Sequence, residues 1–508
     1  MSSMSHTKNI DTSFESISPA EFFYRNRQMA GFGNPTQAVY STVRELVENS
    51  LDSCEDAQTH PILNIEIQNL ESDRITVTVV DNGAGVPSEQ VPLAFGRVLY
   101  GSKYSQRQKR GTFGLGVTMA VLYGQITTDS PVIIHTRTQN SRGTLYRLLV
   151  DIKSNLPLVE SKEDLPRDNI GTTVTIQLKG DLKRAQDRIV DYLRFSTLST
   201  PHAKFILRID DDVQLDIGGW SQTLPEPIEP SKPHPRSVDM EVLRRLVYQK
   251  GDKSLDDFLC SSFQKIGPKT ASRFLRFMNL NPNRIMSDMD RDELSRLAHA
   301  LRKYEGFERP DSKCLSPIGK NEFLSATNSI FNVKFAEYMK RGVSEWQGNP
   351  FVIESIIATG DDFPRSDIPT LFRFVNRVPL LYDASEGVLT RVLKRVNWSR
   401  YSIDSSEPVA LLLHLCSTKI PFRAAGKQSL ASIPEIEYEV LQLFKELGRK
   451  LEKMNARSKR SVRETKKMRE FSKSFKQIAR FSTSLAGRDE VPSTDRLVKR
   501  LFEVEPDE

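Results

Sequence analysis

The feature that most restricts how this chain can fold is the helical run RELVENSLDS (44–53), in which acceptor side chains are threaded through apolar ones. With 3.6 residues per turn, Leu46 and Leu51 fall on one face and predict packing on a core. Glu45 and Asn49 stand one turn apart on the other face. Because a solvated face explains most patterns of this kind, the segments downstream must distinguish a surface helix from the wall of a binding site.

Residues 21–222 predict a mixed layer of helices and strands, which is an α+β arrangement. Runs that alternate between apolar and polar residues are typical of paired, half-buried strands. Longer runs with a helical period separate them. The predicted strands are 62–68, 74–81, 171–178 and 203–210, and the predicted helices are 35–54 and 113–124.

The strand 74–81 ends in the sequence DNGAGVP, which places Asp81 at the mouth of the predicted sheet. Gly83 and Gly85 can adopt positive φ and allow a flat ligand to approach the backbone. The same letters also form common tight turns. This segment alone therefore leaves a turn and a ligand site open.

The segment GTFGLGVTM (111–119) places three glycines before the start of an apolar helix. Backbone N–H groups at a helix N-terminus can bind an anion. The spacing is that of neither a Walker A loop nor a dinucleotide fingerprint. Four basic residues precede the loop and suit phosphate groups: Lys103, Arg107, Lys109 and Arg110.

Four motifs follow one another along the chain: E-x-x-x-N on a helix, D-x-G-x-G after a strand, G-x-x-G-x-G before a helix and GTT at the start of a strand. In this order they resemble the ATPase fold shared by gyrase, MutL, heat-shock chaperones and histidine kinases. The resemblance covers about residues 21–222. It implies that Glu45 activates water, that Asn49 holds Mg²⁺ between the phosphates of ATP, and that Asp81 accepts a hydrogen bond from the adenine amino group. The helix face with Glu45 and Asn49 would then be the wall of a nucleotide pocket.

A longer stretch, 94–125, resembles the B subunits of topoisomerase VI, the type IIB DNA topoisomerases. The resemblance extends to LCSTKIPFRAAGKQS (415–429), where it implies a lysine that contacts the γ-phosphate. Lys419 is the first choice and Lys427 the alternative. The nucleotide-binding residues implied are Asn49, Asp81, Gly83, Gly85, Ser102, Lys103, Gly111, Thr112, Phe113, Gly114, Leu115, Gly116, Val117, Thr118, Thr172 and Lys419. The family usually has a basic residue where Thr118 stands.

Five prolines in 223–236 predict an extended connector and a domain boundary. The resemblance places a helix–two-turn–helix domain after it and then an α/β transducer domain whose long helix starts near residue 434. The expected division is an N-terminal strap (1–20), an ATPase domain (21–225), the helix–two-turn–helix domain (226–306), the transducer (307–485) and a tail (486–508).

Two apolar stripes follow the long C-terminal helix. The first, from Val440 to Met454, predicts packing on the helix's own domain, and the second, Met468 to Phe481, predicts a partner-binding face. Residues 445–480 hold 14 Lys/Arg and four Asp/Glu, an excess larger than the +7 of the whole chain. This stretch either contacts a polyanion or is a solvated run of charge.

The resemblance implies the ATP-hydrolysing subunit of a topoisomerase that passes one DNA duplex through another. A separate A subunit would cleave DNA, and two B subunits would dimerise through their ATPase domains in an A₂B₂ heterotetramer. The one dense acidic run, 209–214, reads as an exposed strand end, so this chain is not expected to cleave DNA itself. A MutL-like or chaperone-like ATPase and a non-enzymatic DNA-binding scaffold are the rival hypotheses.

The composition and the N-terminal sequence indicate the cellular compartment of the protein. The four cysteines form no CxxC pair, which argues against zinc and disulfide frameworks and favours a reducing compartment. The N-terminal sequence has no apolar core of a signal peptide, and no apolar run approaches the ~20 residues of a membrane span. We therefore expect a cytoplasmic, nucleoid-associated protein that does not contact a membrane.

Overall fold

A computed structural model describes residues 16–71, 73–101, 108–111, 115–229, 231–381, 387–403, 407–423, 429–495 and 497. They form two mixed β-sheets with helices against them, a group of short helices between the two in sequence, and a long C-terminal helix. The predicted α+β multidomain architecture is confirmed. Within the described ranges, no helix is long and apolar enough to cross a membrane.

The N-terminal unit has eight strands, and their order in the sheet is β5-β4-β3-β6-β2-β1-β7-β8. Among the described strands of this sheet, β1 and β7 pair in parallel and the other neighbours are antiparallel. The elements are α1 (Pro19–Arg25), α2 (Pro35–Asp56), β1 (Ile62–Asn69), β2 (Arg74–Val80), α3 (Val91–Gly96), α4 (Gly116–Thr128), β3 (Val132–Arg137), β4 (Thr144–Asp151), β5 (Leu156–Glu163), β6 (Gly171–Lys179), α5 (Leu182–Ser199), β7 (Lys204–Ile209) and β8 (Asp212–Gly218).

Helices α2, α4 and α5 cover one face of this sheet, because their apolar residues and the inward residues of the strands share one core. Asn34 caps α2 by accepting a hydrogen bond from the Gln37 N–H, and Pro35 occupies its first turn. The acidic run at 209–214 includes the end of β7, the start of β8 and the turn between them, where Asp210 and Asp211 both have positive φ.

Four short helices follow the proline-rich connector and enclose a separate small core. The N-cap of the last is a capping box, in which Asp290 and Glu293 satisfy each other's backbone N–H groups. The four helices are α6 (Met240–Lys250), α7 (Leu255–Ser262), α8 (Pro268–Phe277) and α9 (Arg291–Lys303).

The C-terminal unit is built on a second sheet in the order β10-β11-β14-β12-β13, with β9 paired to β11. Strands β11 and β14 are buried along their whole length, which explains the apolar run at 408–416. Its elements are α10 (Lys320–Ile330), β9 (Val333–Lys340), β10 (Ser344–Trp346), β11 (Asn349–Gly360), β12 (Thr370–Val375), β13 (Val378–Pro379), α11 (Val388–Lys394), β14 (Val409–Ser417) and α12 (Pro434–Leu485).

Helix α12 is 52 residues long and changes environment along its length. Its first stripe packs against the second sheet: Val440, Leu447 and Leu451 are fully buried, and Met454 at its end is partly buried. The second stripe is exposed: Phe471 retains 48% and Phe481 68% of its accessible surface. The predicted contrast between the two stripes is thus present in the structure.

The two sheet units interlock at their junction. Val378, from the C-terminal unit, is buried in the core of the N-terminal unit. Conversely, Leu198 at the end of α5 is buried in a cluster of the C-terminal unit, beside Phe323 and Phe374. Movement of one unit against the other therefore has to act through packed side chains.

Candidate nucleotide-binding site

A cavity of about 650 Å³ lies between α2, the end of β2 and the start of α4. The polar residues of its wall come from α2 and the adjacent strand ends, while the rest of the wall is apolar and suited to a flat aromatic ring. The polar group includes Glu45, Asn49, Ser50, Asp81 and Thr172, and the apolar group includes Leu46, Val79, Val86, Phe95 and Val174.

The sequence predicts one face of α2 against a core and the other open, but in the structure both faces are buried. Arg44, Glu45, Glu48 and Asp52 are each less than a tenth exposed. Buried charges must be paired, and Arg44 provides this by donating to Glu45 at 2.6 Å and lying 3.4 Å from Glu48. Although burial lowers the pKa of the Arg44 guanidinium, the two carboxylates outweigh that effect and raise it.

Asp81 is held in place by three donors. Its Oδ1 accepts hydrogen bonds from the N–H groups of Gly83 (2.9 Å) and Thr172 (3.0 Å), and its Oδ2 accepts one from the Ser50 hydroxyl (2.9 Å). Burial nevertheless raises the pKa of the Asp81 carboxyl above its usual value. A carboxylate fixed in this way inside a partly apolar cavity can select a ligand by one further hydrogen bond from an amino group.

The two glycines after Asp81 serve different purposes. Gly85 has φ of +73°, and a Cβ there would lie 2.1 Å from the Arg137 carbonyl oxygen. Gly83 does not use the positive φ that glycine permits, but a Cβ at this position would lie 2.4 Å from the Ser53 hydroxyl. Close approach to α2 therefore explains Gly83, whereas both conformation and space explain Gly85.

The N-terminus of α4 opens at the cavity beside Glu45. Helix α4 begins at Gly116, and none of the described side chains caps it. A Cβ on Gly116 would lie 1.7 Å from Oε2 of Glu45, so this carboxylate occupies the space that any larger residue would fill. The uncapped N–H groups of the first turn can bind an anion. Lining residues from this segment are Gly111, Leu115, Gly116, Val117 and Thr118.

Thr118 is buried, at 3% exposure, and lines the cavity where a basic residue is usual in the family. In this chain the Thr118 hydroxyl is therefore the polar group at that position of the cavity wall. Five further residues expected to bind the nucleotide, Ser102, Lys103, Thr112, Phe113 and Gly114, lie outside the described residues.

Asn49 stands one turn from Glu45, and its side-chain Nδ2 donates to the Glu45 carbonyl at 3.0 Å. Because Nδ2 is the donor in this bond, the other atom of the amide is its oxygen, and that oxygen can bind a metal ion. Mg²⁺ takes oxygen ligands and is bound in phosphate sites by few protein groups together with waters and substrate phosphates, so a single amide oxygen on the cavity wall is compatible with it.

Two of the basic residues expected to suit phosphates have other partners. Lys109 forms an ion pair with Asp56, and Arg110 donates to Asp52 (3.0 Å) and twice to Glu55 (2.7 Å). The expectation that these two bind phosphate is therefore wrong in this conformation. They attach the base of the glycine loop to the last turns of α2.

The pKa values at this attachment are shifted by burial and by pairing. Burial raises the pKa of Glu55, but Arg110 and a hydrogen bond from His202 at 3.0 Å outweigh it, so the pKa lies well below its usual value. Burial lowers the pKa of His202. The sequence signal that was missed is the spacing of Asp52, Glu55 and Asp56, which places three carboxylates on one end of the helix.

Lys419 is not among the residues that line the cavity. It is exposed just after β14, and its ammonium lies 6.0 Å from the centre of the Trp346 ring. Its suggested alternative, Lys427, is outside the described residues. Ser50 was also missed as a functional residue, because its position in the apolar stripe of α2 conceals its contact with Asp81.

Comparisons with known proteins identify both sheet units. Residues 34–181 match the model of the histidine kinase-, DNA gyrase B- and HSP90-like ATPases, and residues 310–467 match that of the transducer of topoisomerase VI B subunits. A solved structure titled as the N-terminal domain of a DNA repair protein covers 85% of this chain and 98% of its own, at 13% identity and a TM-score of 0.42.

Two archaeal relatives are similar over nearly the full chain. The B subunit of type 2 DNA topoisomerase 6 from Saccharolobus islandicus (strain Y.N.15.51) is 38% identical over 474 residues, which is 92% of this chain and 89% of the relative. The corresponding protein of Saccharolobus solfataricus is 39% identical over 461 residues, 89% of this chain and 87% of the relative. With both of its sheet units matched and this extent of identity, the chain belongs to the family of type 2 DNA topoisomerase 6 B subunits.

Proposed function

We propose that this chain binds and hydrolyses ATP as the B subunit of a type IIB DNA topoisomerase. The observation that carries the proposal is the cavity in which Glu45, Asn49, Asp81 and the N-terminus of α4 converge. These residues supply an acceptor and an anion site suited to binding ATP. They also supply a carboxylate suited to proton transfer in its hydrolysis.

Each of these residues has its own role in binding or hydrolysing ATP. Asp81 accepts a hydrogen bond from the adenine amino group, and the apolar wall packs against the ring. The N–H groups of the glycine loop and of α4 bind the phosphate oxygens and stabilise the charge that develops on them. Glu45 accepts a proton from the attacking water. Mg²⁺ would neutralise phosphate charge, and Asn49 is the residue that would hold it.

At the level of the assembly, ATP closes two B subunits into a dimer, with residues 1–20 exchanged as a strap. The transducer passes this closure to a DNA-cleaving A subunit, and one duplex moves through the break in another. This activity relaxes supercoils and decatenates DNA within an A₂B₂ heterotetramer at the nucleoid. The proposed domain division is the one expected from the sequence, with residues 226–306 as the helix–two-turn–helix domain.

Two measurements test this function. The purified chain should hydrolyse ATP, and DNA but not unfolded protein should stimulate it. Used as bait, the chain should capture one DNA-cleaving subunit in equal amount. A chain that binds no nucleotide would contradict the proposal, and stimulation by unfolded protein would favour a chaperone-like ATPase instead.

Lys419 remains our candidate for the γ-phosphate sensor. A lysine ammonium is a compact donor for a terminal dianionic group. The side chain must leave Trp346 to reach the cavity, so ATP and ADP would favour different positions of the transducer.

We expect Lys419→Ala to bind ADP like the parent but to hydrolyse ATP poorly, with no nucleotide-dependent change in domain spacing by small-angle scattering. Lys394→Ala, which removes an exposed lysine of α11, is the control. If Lys419→Ala still compacts with an ATP analogue and not with ADP, the sensor is another residue, and Lys427 is the next to test.

A further inference from the structure

The turn between β12 and β13 is a strained, buried turn at the junction of the two sheet units. Its two residues, Asn376 and Arg377, have φ of 46° and 66°, a backbone conformation that residues other than glycine rarely adopt. They are only 4% and 6% exposed. Because a residue held in this region is under backbone strain, the surrounding contacts must hold the turn in place.

The side-chain amide of Asn376 joins three segments of the chain. Its Nδ2 donates to the carbonyl of Lys109 and to the carbonyl of Ser417, each at 3.0 Å, and its Oδ1 accepts from the Ser417 N–H at 2.9 Å. Lys109 lies two residues before Gly111 of the nucleotide cavity. Ser417 ends β14, two residues before Lys419. One buried amide thus connects the base of the glycine loop with the strand end that carries the candidate sensor.

Arg377 anchors the same turn to both units. Its guanidinium donates to the Ser316 hydroxyl at 2.9 Å and lies 3.9 Å from Glu55, the carboxylate that holds Arg110. Its backbone carbonyl accepts a hydrogen bond from the Ser199 hydroxyl at 2.6 Å.

The backbone N–H of Arg377 donates to Nε2 of His414 at 3.1 Å. This bond assigns the proton of the imidazole to Nδ1, which donates to the buried Glu354 at 2.7 Å. The turn is therefore held from α5, from the second sheet and from the glycine-loop base at once.

We propose that Asn376 is a positioning residue that couples Lys109, at the base of the glycine loop, to the end of β14, so that ATP binding in the cavity displaces the transducer strand that leads to Lys419. This coupling rests on the proposed ATP-driven clamp. A stiff chain of hydrogen bonds can transmit such a displacement because the groups are buried and have no water to exchange with. The residue would act on ATP turnover through position, without touching the nucleotide.

The test uses the full-length chain and a non-hydrolysable ATP analogue. Spin labels at Glu160→Cys and Arg400→Cys, both exposed, report the spacing of the two sheet units, with the half-buried Cys260 replaced by serine. Asn376→Gly removes the amide but keeps a residue suited to positive φ. We expect this variant to bind the analogue within about twofold of the parent. We also expect its analogue-induced change in spacing to fall at least about fivefold.

Arg194→Ala is the matched control, because it removes another hydrogen bond across the junction, from Arg194 to the Ile330 carbonyl, that does not involve the glycine loop. Its spacing change should remain that of the parent. An equal loss in Arg194→Ala would show that any junction contact suffices and would overturn the role of Asn376, as would a parental response in Asn376→Gly.

If Asn376→Gly does not fold, Asn376→Asp decides the question. The aspartate can still accept from the Ser417 N–H, but it presents an oxygen to the carbonyls of Lys109 and Ser417 and should break both bonds that Nδ2 donates, including the link to the glycine-loop base. A parental spacing change in this variant would refute the coupling. If the parent itself shows no change with the analogue, the ATP-driven clamp fails, and the coupling fails with it.

Discussion

Replacing Glu45 with glutamine should slow ATP hydrolysis by about 100- to 10,000-fold, which is the usual contribution of a positioned general base. Nucleotide binding should persist, because glutamine fills the same space beside Gly116 and the adenine and phosphate contacts come from other residues. ATP should then hold the dimer closed. Single-turnover hydrolysis and analogue affinity, measured on the same preparation, give the two quantities.

Glu48→Gln is the control for this experiment. Glu48 is as deeply buried as Glu45, lies on the same helix near the same arginine and does not line the cavity. Both substitutions remove one negative charge close to Arg44, so both disturb the same ion-pair group. Only Glu45→Gln should lose the chemical step. A parental hydrolysis rate in Glu45→Gln, or an equal loss in Glu48→Gln, would exclude Glu45 as the base.

Replacing Phe471 and Phe475 together with serine should abolish capture of the A subunit while ATP-driven self-association continues. The two rings stack at 6.1 Å on the exposed part of α12, and Ile478 and Phe481 extend the apolar face with 58% and 68% exposure. Aromatic anchors at an interface commonly contribute about 2 kcal/mol each, which corresponds to about a 30-fold loss in affinity for each ring. Equilibrium co-purification with the A subunit measures the effect.

Val462→Ser serves as the control, since Val462 is 66% exposed on the same helix but lies nine residues before Phe471, which places it on the opposite side of the helix. It should capture the A subunit like the parent. Unchanged capture by the double phenylalanine variant would place the partner contact elsewhere on the chain.

The sequence by itself determined the elements of the nucleotide pocket, because each depends on local order. The period of α2 places Glu45 and Asn49 on one side, the alternation of β2 ends at Asp81, and glycines before α4 leave its N-terminus open. The long helix could be predicted in the same way, because the spacing of its apolar residues shows two separate stripes, the first of which is buried and the second exposed. The same local features make the family resemblance specific.

Tertiary structure alone decided which partners the charged side chains take. Lys109 and Arg110 precede the glycine-rich loop in sequence, yet they pair with Asp56, Asp52 and Glu55. A buried cation needs a nearby carboxylate to offset its loss of hydration, and the fold brings the end of α2 to that place. No periodicity in either segment encodes this proximity.

The same reason applies to the junction of the two sheet units. Asn376 meets Lys109 across 267 residues of sequence and Ser417 across 41, so its role follows from the packing of α5 and two sheets. Local pattern specifies which face of an element is apolar. Which distant segment covers that face, and whether a polar residue there becomes a ligand or a structural link, depends on the assembled core.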